Sequence, residues 1–200
     1  SVPALSFQGD EDSSSRQLLR KFSHEWKRFS GDDSLSIIRV VDLSWLRAFR
    51  AMTAFFRNQP DRKHVIVFDE IQWIAKRKSG FLGQLKEAWV DWEQLGNVKV
   101  IICGSSHRFF ANKTASETSV LHRMRTVGDL RVLPFSLSEI RRNYFPQWTK
   151  EQICLVFMMT GGVPYYLARI PRDGNFIRAI NKTFFTRDTI FLDEFREVIN

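Results

Sequence analysis

The chain has 200 residues and a mass of 23.5 kDa, with 44% hydrophobic residues, 18 Phe and 6 Trp. That supplies a real core for one domain with or without a small appendage, and excludes an intrinsically disordered chain or a disulfide-stapled mini-scaffold. The 30 Lys and Arg outnumber the 22 Asp and Glu, for a formal charge of +8 centred on Arg108 to Arg142, which reads equally as a solvated basic face or a phosphate or nucleic-acid surface.

Val2 to Phe7 (VPALSF) predicts a strand, followed by a Gly-Asp-Glu-Asp-Ser turn and then a helix. Leu18, Leu19, Phe22, Trp26 and Phe29 recur there at three- and four-residue steps behind an Asp12 or Ser13 cap. The β-branched run Ile37 to Val41 predicts a short strand, and Ser44 opens a second helix with Trp45, Phe49, Met52, Phe55 and Phe56 inward. His64 to Asp69 (HVIVFD) is the pattern of a strand buried on both faces at the centre of a parallel sheet. Gly80 precedes a helix with Leu82, Leu85, Trp89 and Trp92 on one stripe, Gly96-Asn97 ends it, and Val98 to Cys103 (VKVIIC) is the next strand. Strand, helix and strand in about 40 residues make a βαβ unit, whose ligands bind beyond the carboxyl ends of the strands.

Asp129 to Leu133 predicts one more strand, before a helix over Ser136 to Tyr144. Helices over Thr149 to Thr160, Tyr165 to Ile170, Asn175 to Phe185 and Ile190 to Asn200 complete the chain, interrupted by Gly161-Gly162-Val163-Pro164. The longest unbroken apolar run, Ile153 to Met159, is far short of the roughly 20 residues that span a membrane, and no secretion signal opens the chain. A cytoplasmic location with no membrane partner is expected. Cys103 and Cys154 both lie in apolar sequence and read as reduced, buried thiols.

Asp69, Glu70 and Ser105 fall at the predicted carboxyl ends of two strands. An acid there can hold the hydrated Mg²⁺ that bridges nucleotide phosphates, and the next acid can polarise an attacking water. Any buried strand that meets solvent can also end in acids. Ser105 and Ser106 can sense a phosphate, or can form a turn or cap a helix starting near His107. Gly161, Gly162 and Pro164 form a sharp backbone turn suited to close approach to a ligand or to a plain helix corner. Arg123, Arg125 and Arg108 can reach a phosphate or form surface ion pairs. No His-Glu-x-x-His, Cys-x-x-Cys or Gly-x-Ser-x-Gly occurs, and the four histidines are scattered, so zinc and serine or cysteine nucleophile chemistry lack support.

Taken in order, VIVFDEIQWIA (65–75), SGFLGQLKEAWVDWE (79–93), VKVIICGSS (98–106), LPFSLSEI (133–140) and GGVPYYL (161–167) resemble the prokaryotic AAA-type, or archaeal-type, ATPases grouped with the STAND branch of P-loop ATPases. The resemblance implies a three-layer α/β/α sheet domain over 1–134 and a helical lid over 135–200. It implies ATP and Mg²⁺ as ligands, with Asp69 on the metal, Glu70 activating water and Ser105 at the sensor position. It places the turn of Gly161, Gly162 and Pro164 in the lid near the adenine, and Arg123, whose guanidinium fork suits a phosphate, is a candidate nucleotide contact on its own chemistry. It also implies a protein partner or a fused carboxyl-terminal domain, with DNA association in some members.

The phosphate-cradling Gly-x-x-x-x-Gly-Lys-Ser/Thr loop is absent from these 200 residues. In the family it lies upstream of the strand matched by Pro3 to Phe7, so the expectation is an amino-terminally incomplete domain with weak or no ATP hydrolysis by itself. Three readings follow: an ATPase nucleotide-binding domain acting as a regulatory or DNA-associated switch, a degenerate non-hydrolysing interaction module, and a basic nucleic-acid-binding domain.

Overall fold

The structure is a computed structural model that describes residues 3–36, 42–76, 79–114, 121, 128, 130–172 and 174–186. Three strands, β1 (Ala4–Gln8), β2 (His64–Asp69) and β3 (Val98–Ile102), form a parallel sheet in the order β1-β2-β3. Ala4 pairs with Val65 through Gln8 with Asp69, and His64 with Val98 through Phe68 with Ile102. The apolar run of β2 thus occupies the middle, as its sequence predicts. Parallel pairing requires crossovers, and here they are α1 (Ser15–Ser30) and α2 (Trp45–Arg57) between β1 and β2, then α3 (Ile71–Ile74) and α4 (Phe81–Leu95) between β2 and β3. Helix α5 (His107–Thr114) follows β3.

Local chemistry explains where these helices begin and stop. Ser14, one residue past the expected cap, accepts from the Gln17 backbone N–H and closes a capping box, and left-handed Gly31 ends α1. Ser44 caps α2 as predicted, and Gly80 and Gly96 flank α4. The helices lay their apolar sides on one face of the sheet. Leu5 and Phe7 of β1 and Ile66 and Phe68 of β2 are buried there with Phe22, Trp26, Trp45, Phe49, Phe56, Phe81 and Trp92. Trp92 donates its indole N–H to the Thr53 hydroxyl at 2.8 Å, so this fully buried side chain of α4 is both packed and satisfied.

The opposite face corrects one expectation. Val65 and Val67 of β2 are only partly buried, and Ile101 of β3 is exposed, so β2 is buried on one face rather than both among the described residues. The expected third layer is not seen among them. Neither is a strand at 130–133: that segment is irregular, with Leu130 86% and Val132 84% exposed, because no described strand edge meets its backbone. The predicted strand at 37–41 and the helix at 190–200 lie outside the described residues.

The chain divides into two compact units, residues 1–129 and 130–200. The second contains α6 (Leu137–Asn143), α7 (Lys150–Thr160), α8 (Pro164–Leu167) and α9 (Phe176–Phe184). Capping boxes at Ser136 with Glu139 and Thr149 with Gln152 set the starts of α6 and α7, and Gly161 ends α7 in the left-handed region. Its own core gathers Ile140, Phe145, Trp148, Ile153, Val156, Leu167 and Ile180. Phe145 and Trp148 stack with centroids 4.0 Å apart. Cys154 is exposed rather than buried: it lies on the outer side of α7, since the helix is apolar nearly all round and can turn only one side inward.

Candidate functional site

The carboxyl ends of the strands converge through backbone bonds. Gly9 N–H donates to Asp69 C=O at 2.8 Å, Cys103 N–H to Phe68 C=O at 2.9 Å, and Ile71 N–H to Cys103 C=O at 3.0 Å. The turn after β1 therefore lies against the end of β2, and the turn after β3 against the start of α3. Gly9 is required by that contact, since a Cβ there would come within 2.4 Å of the Glu70 carbonyl oxygen.

Glu70 is the single non-glycine residue with positive φ among the described residues, at φ 48° and ψ 48°. A side-chain-bearing residue in the left-handed region is disfavoured by roughly 1–2 kcal/mol. The neighbours hold it there: its N–H donates to Asp69 Oδ1 at 2.9 Å, and its carbonyl accepts from Trp73 N–H at 2.9 Å. The abrupt turn lifts the Glu70 side chain out of the line of β2 and across to the β3 turn. There Ser105 Oγ donates to Glu70 Oε2 at 3.0 Å, and the Gln72 side-chain amide donates to the same carboxylate oxygen and to Ser105 Oγ at 3.2 Å. Ser106 does something different. Its hydroxyl accepts from Phe109 N–H at 3.2 Å and caps α5, so of the two adjacent serines one serves the site and the other the helix.

These groups open on a cleft of about 660 Å³ lined by Asp10, Glu11, Lys21, Glu70, Trp73 and Ser105 among others. Lys21 of α1 pairs with Asp10 at 2.5 Å and also donates to Ser13 Oγ at 2.9 Å. The Lys21 ammonium, then the Ser13 hydroxyl and the Asp12 backbone N–H, hold the Asp10 carboxyl down to about 2. Lys76 donates to the carbonyls of Glu11 and Ser13 and pins the same loop to α3. Cys103 is half-buried beneath the acids, not in the apolar setting its sequence suggests. Burial, and then the Asp69 and Glu70 carboxylates, push its thiol up, which makes it a poor nucleophile.

Of the residues singled out from sequence, the fold brings Glu70 and Ser105 together, while Asp69, next to Glu70 in the chain, turns Oδ1 to the Glu70 N–H. Gly161, Gly162 and Pro164 sit in the second unit, where a Cβ on Gly162 would come within 2.4 Å of the Phe135 carbonyl oxygen and Gly162 C=O accepts from Phe135 N–H at 2.8 Å. The close approach made by that turn is thus to its own unit. Arg123 lies outside the described residues. Gln72, Gly9, Asp10, Lys21 and Trp73 were missed as site residues. Gln72 carried a signal, being two positions after Glu70, whereas Lys21 is a helix-face lysine like any other until α1 is docked.

The second unit has a groove of its own, about 550 Å³, with Leu137, Ile153 and Cys154 in its lining and Arg141, Arg142 and Lys150 around it. None of those three cations forms an ion pair among the described residues.

No protein-family model matches the sequence, and no curated protein matches it. Among solved structures the chain is similar to the Walker-type ATPase PABY2304 of Pyrococcus abyssi, with a TM-score of 0.63 at 18% identity. The match covers 98% of this chain and 64% of that one. The parallel sheet and its helices are thus of the P-loop NTPase kind in fold, and the chain spans less than two thirds of that structure's length.

Proposed function

We propose that the chain carries the acid and sensor side of an ATP-hydrolysing site, in a nucleotide-dependent switch of the AAA and STAND kind. The observation that carries this reading is the bond from Ser105 to the Glu70 carboxylate at the carboxyl ends of adjacent parallel strands, with Asp69 beside Glu70 in the chain and Glu70 held in a disfavoured backbone conformation. The fold likeness to a Walker-type ATPase supports it.

The donor set fits Mg²⁺. The available ligands are hard carboxylate and hydroxyl oxygens, and among the described residues no three His, Cys, Asp or Glu side chains converge to hold a metal by themselves. Mg²⁺ is commonly held by one or two carboxylates together with water and phosphate oxygens. Asp69 would hold it, and when bound it would neutralise charge on the nucleotide phosphates. Glu70 keeps Oε2 on Ser105 and Gln72, which leaves Oε1 to accept a proton from a water in the cleft. The Ser105 hydroxyl, now on Glu70, would turn to a phosphate oxygen when nucleotide binds. Gly161, Gly162 and Pro164 remain proposed contacts to the nucleotide on the family resemblance alone, and Arg123 on its guanidinium chemistry.

The test uses the protein at its natural length with ATP and Mg²⁺. Turnover is expected to require the metal and to fall by about 10²- to 10⁴-fold in Glu70→Gln, the range of one general base. Wild-type turnover in that variant would remove the assignment. A second reading, an interaction or nucleic-acid-binding module, is favoured by the cation-rimmed groove of the second unit. It requires DNA affinity that falls steeply with salt and with charge reversal at Arg141 and Arg142.

A further inference from the structure

We propose that Gln72 is a positioning residue which, with Ser105, clamps the Glu70 carboxylate at the cleft with one oxygen engaged and the other free. The proposal rests on the ATPase reading for its consequence, and on geometry alone for the clamp. The backbone at Glu70 is fixed from three directions by the bonds of Gly9, Trp73 and Ile71. Its side chain still has three rotatable bonds, and a carboxylate that must meet a water in one place needs them held. Two donors from different elements do this. Ser105 comes from the turn after β3 and Gln72 from the first turn of α3, and both reach Oε2, while Gln72 also reaches Ser105. The three side chains form a closed ring.

The orientation of the Gln72 amide follows from charge. With the nitrogen toward Glu70 it donates to a carboxylate, whereas the reverse would set a carbonyl oxygen against it. That orientation leaves Gln72 Oε1 buried and without a hydrogen-bond partner among the described residues. A fold seldom leaves a buried acceptor unmade, and here the other end of the amide has two acceptors that a reversed amide would lose. Room for that oxygen comes from Gly104, where a Cβ would lie only 2.3 Å from it. Gly104 thus stands between Cys103 and Ser105 as the seat of the Gln72 side chain, and Gly104→Ala would push the amide off Glu70 while leaving Gln72 in the sequence.

Two measurements on the protein at its natural length test this. In Gln72→Ala, and in the near-isosteric Gln72→Met should the first fail to fold, kcat is expected to drop by about 10- to 100-fold while the KM for ATP stays within about two-fold. Gly104→Ala should do the same. A rise in KM with unchanged kcat would make Gln72 a nucleotide contact and overturn the proposal, as would wild-type kcat in these variants when Glu70→Gln is inactive. Independently of turnover, the Gln72 side-chain amide resonances, identified by their loss in Gln72→Met, should lie away from those of solvent-exposed glutamines and move toward them in Ser105→Ala. Resonances at the exposed position in the wild type would overturn the clamp. If Glu70→Gln keeps full turnover the ATPase reading fails, and the amide resonances still decide whether the clamp exists.

Discussion

In the first unit nine buried aromatic side chains from β1, α1, α2, β2 and α4 pack mostly edge to face over one side of the sheet, from Phe7 on Phe22 at 5.2 Å to Phe68 on Phe81 at 5.1 Å. In the second unit, among the described residues, four helices, two of them of seven residues or fewer, enclose a smaller core around the Phe145 and Trp148 stack, and Leu155, Met158 and Ile177 face outward. A sheet gives long helices a broad surface on which each apolar side can be covered. Short helices packed on one another cannot cover a helix as apolar as α7 all round. The strand ends that lead to Asp69, Glu70 and Ser105 rest on the larger of the two cores.

The largest effect is expected from Trp92→Ala, which empties the space between α2 and α4 and strips Thr53 of its donor. The loss should be about 3–5 kcal/mol. It should appear as faster hydrogen exchange at Ile66 and Phe68 with no change at Val156. Equal acceleration in both units would show that they unfold as one.

A middling effect belongs to His64. It is buried at the start of β2 against Phe29, Phe55 and Phe56, with neither ring nitrogen partnered. Burial first, then the Arg62 charge, hold it below its ordinary value of 6.5. The unfolded chain therefore binds the proton more readily, so the stability linked to this group is complete above about pH 6.5 and declines as the pH falls below it. Denaturant midpoints at pH 7.5 and 5 should differ less in His64→Phe than in the wild type. An unchanged difference would assign the acid sensitivity to other groups.

The smallest effect should come from Met158→Lys on the outer side of α7, 80% exposed. Stability should stay within about 0.5 kcal/mol. A larger loss would mean that this side of the helix is covered in solution, and that the second unit is more enclosed than its described residues make it.

Much of this was legible in the residues themselves. The run HVIVFD announced the central strand because a continuous apolar stretch suits the middle of a parallel sheet, and Ser44, Gly80 and Gly96 marked helix ends because their side chains or backbones do what a helix end needs. The 130–133 segment shows the limit. Alternating apolar residues suffice to suggest a strand, but a strand exists only where a neighbour pairs with it. The same limit hid Lys21 wholly and Gln72 in part, since the place of Gln72 beside Glu70 was a signal but its bond to Ser105 was not. Their roles depend on distances to residues 33 positions away in one case and 11 in the other, which no local pattern encodes.

By itself, then, the sequence determined the parallel α/β class, the helix ends at Ser44, Gly80 and Gly96 and the acids at the end of β2, because hydrophobic period, capping and strand burial are local properties. Only the tertiary structure decided that Ser105 rather than Ser106 meets Glu70, that Gly162 approaches Phe135, and that Gln72 closes the ring. Those are contacts between elements distant in the chain, and their geometry is set by the sheet register and by where each turn finds room.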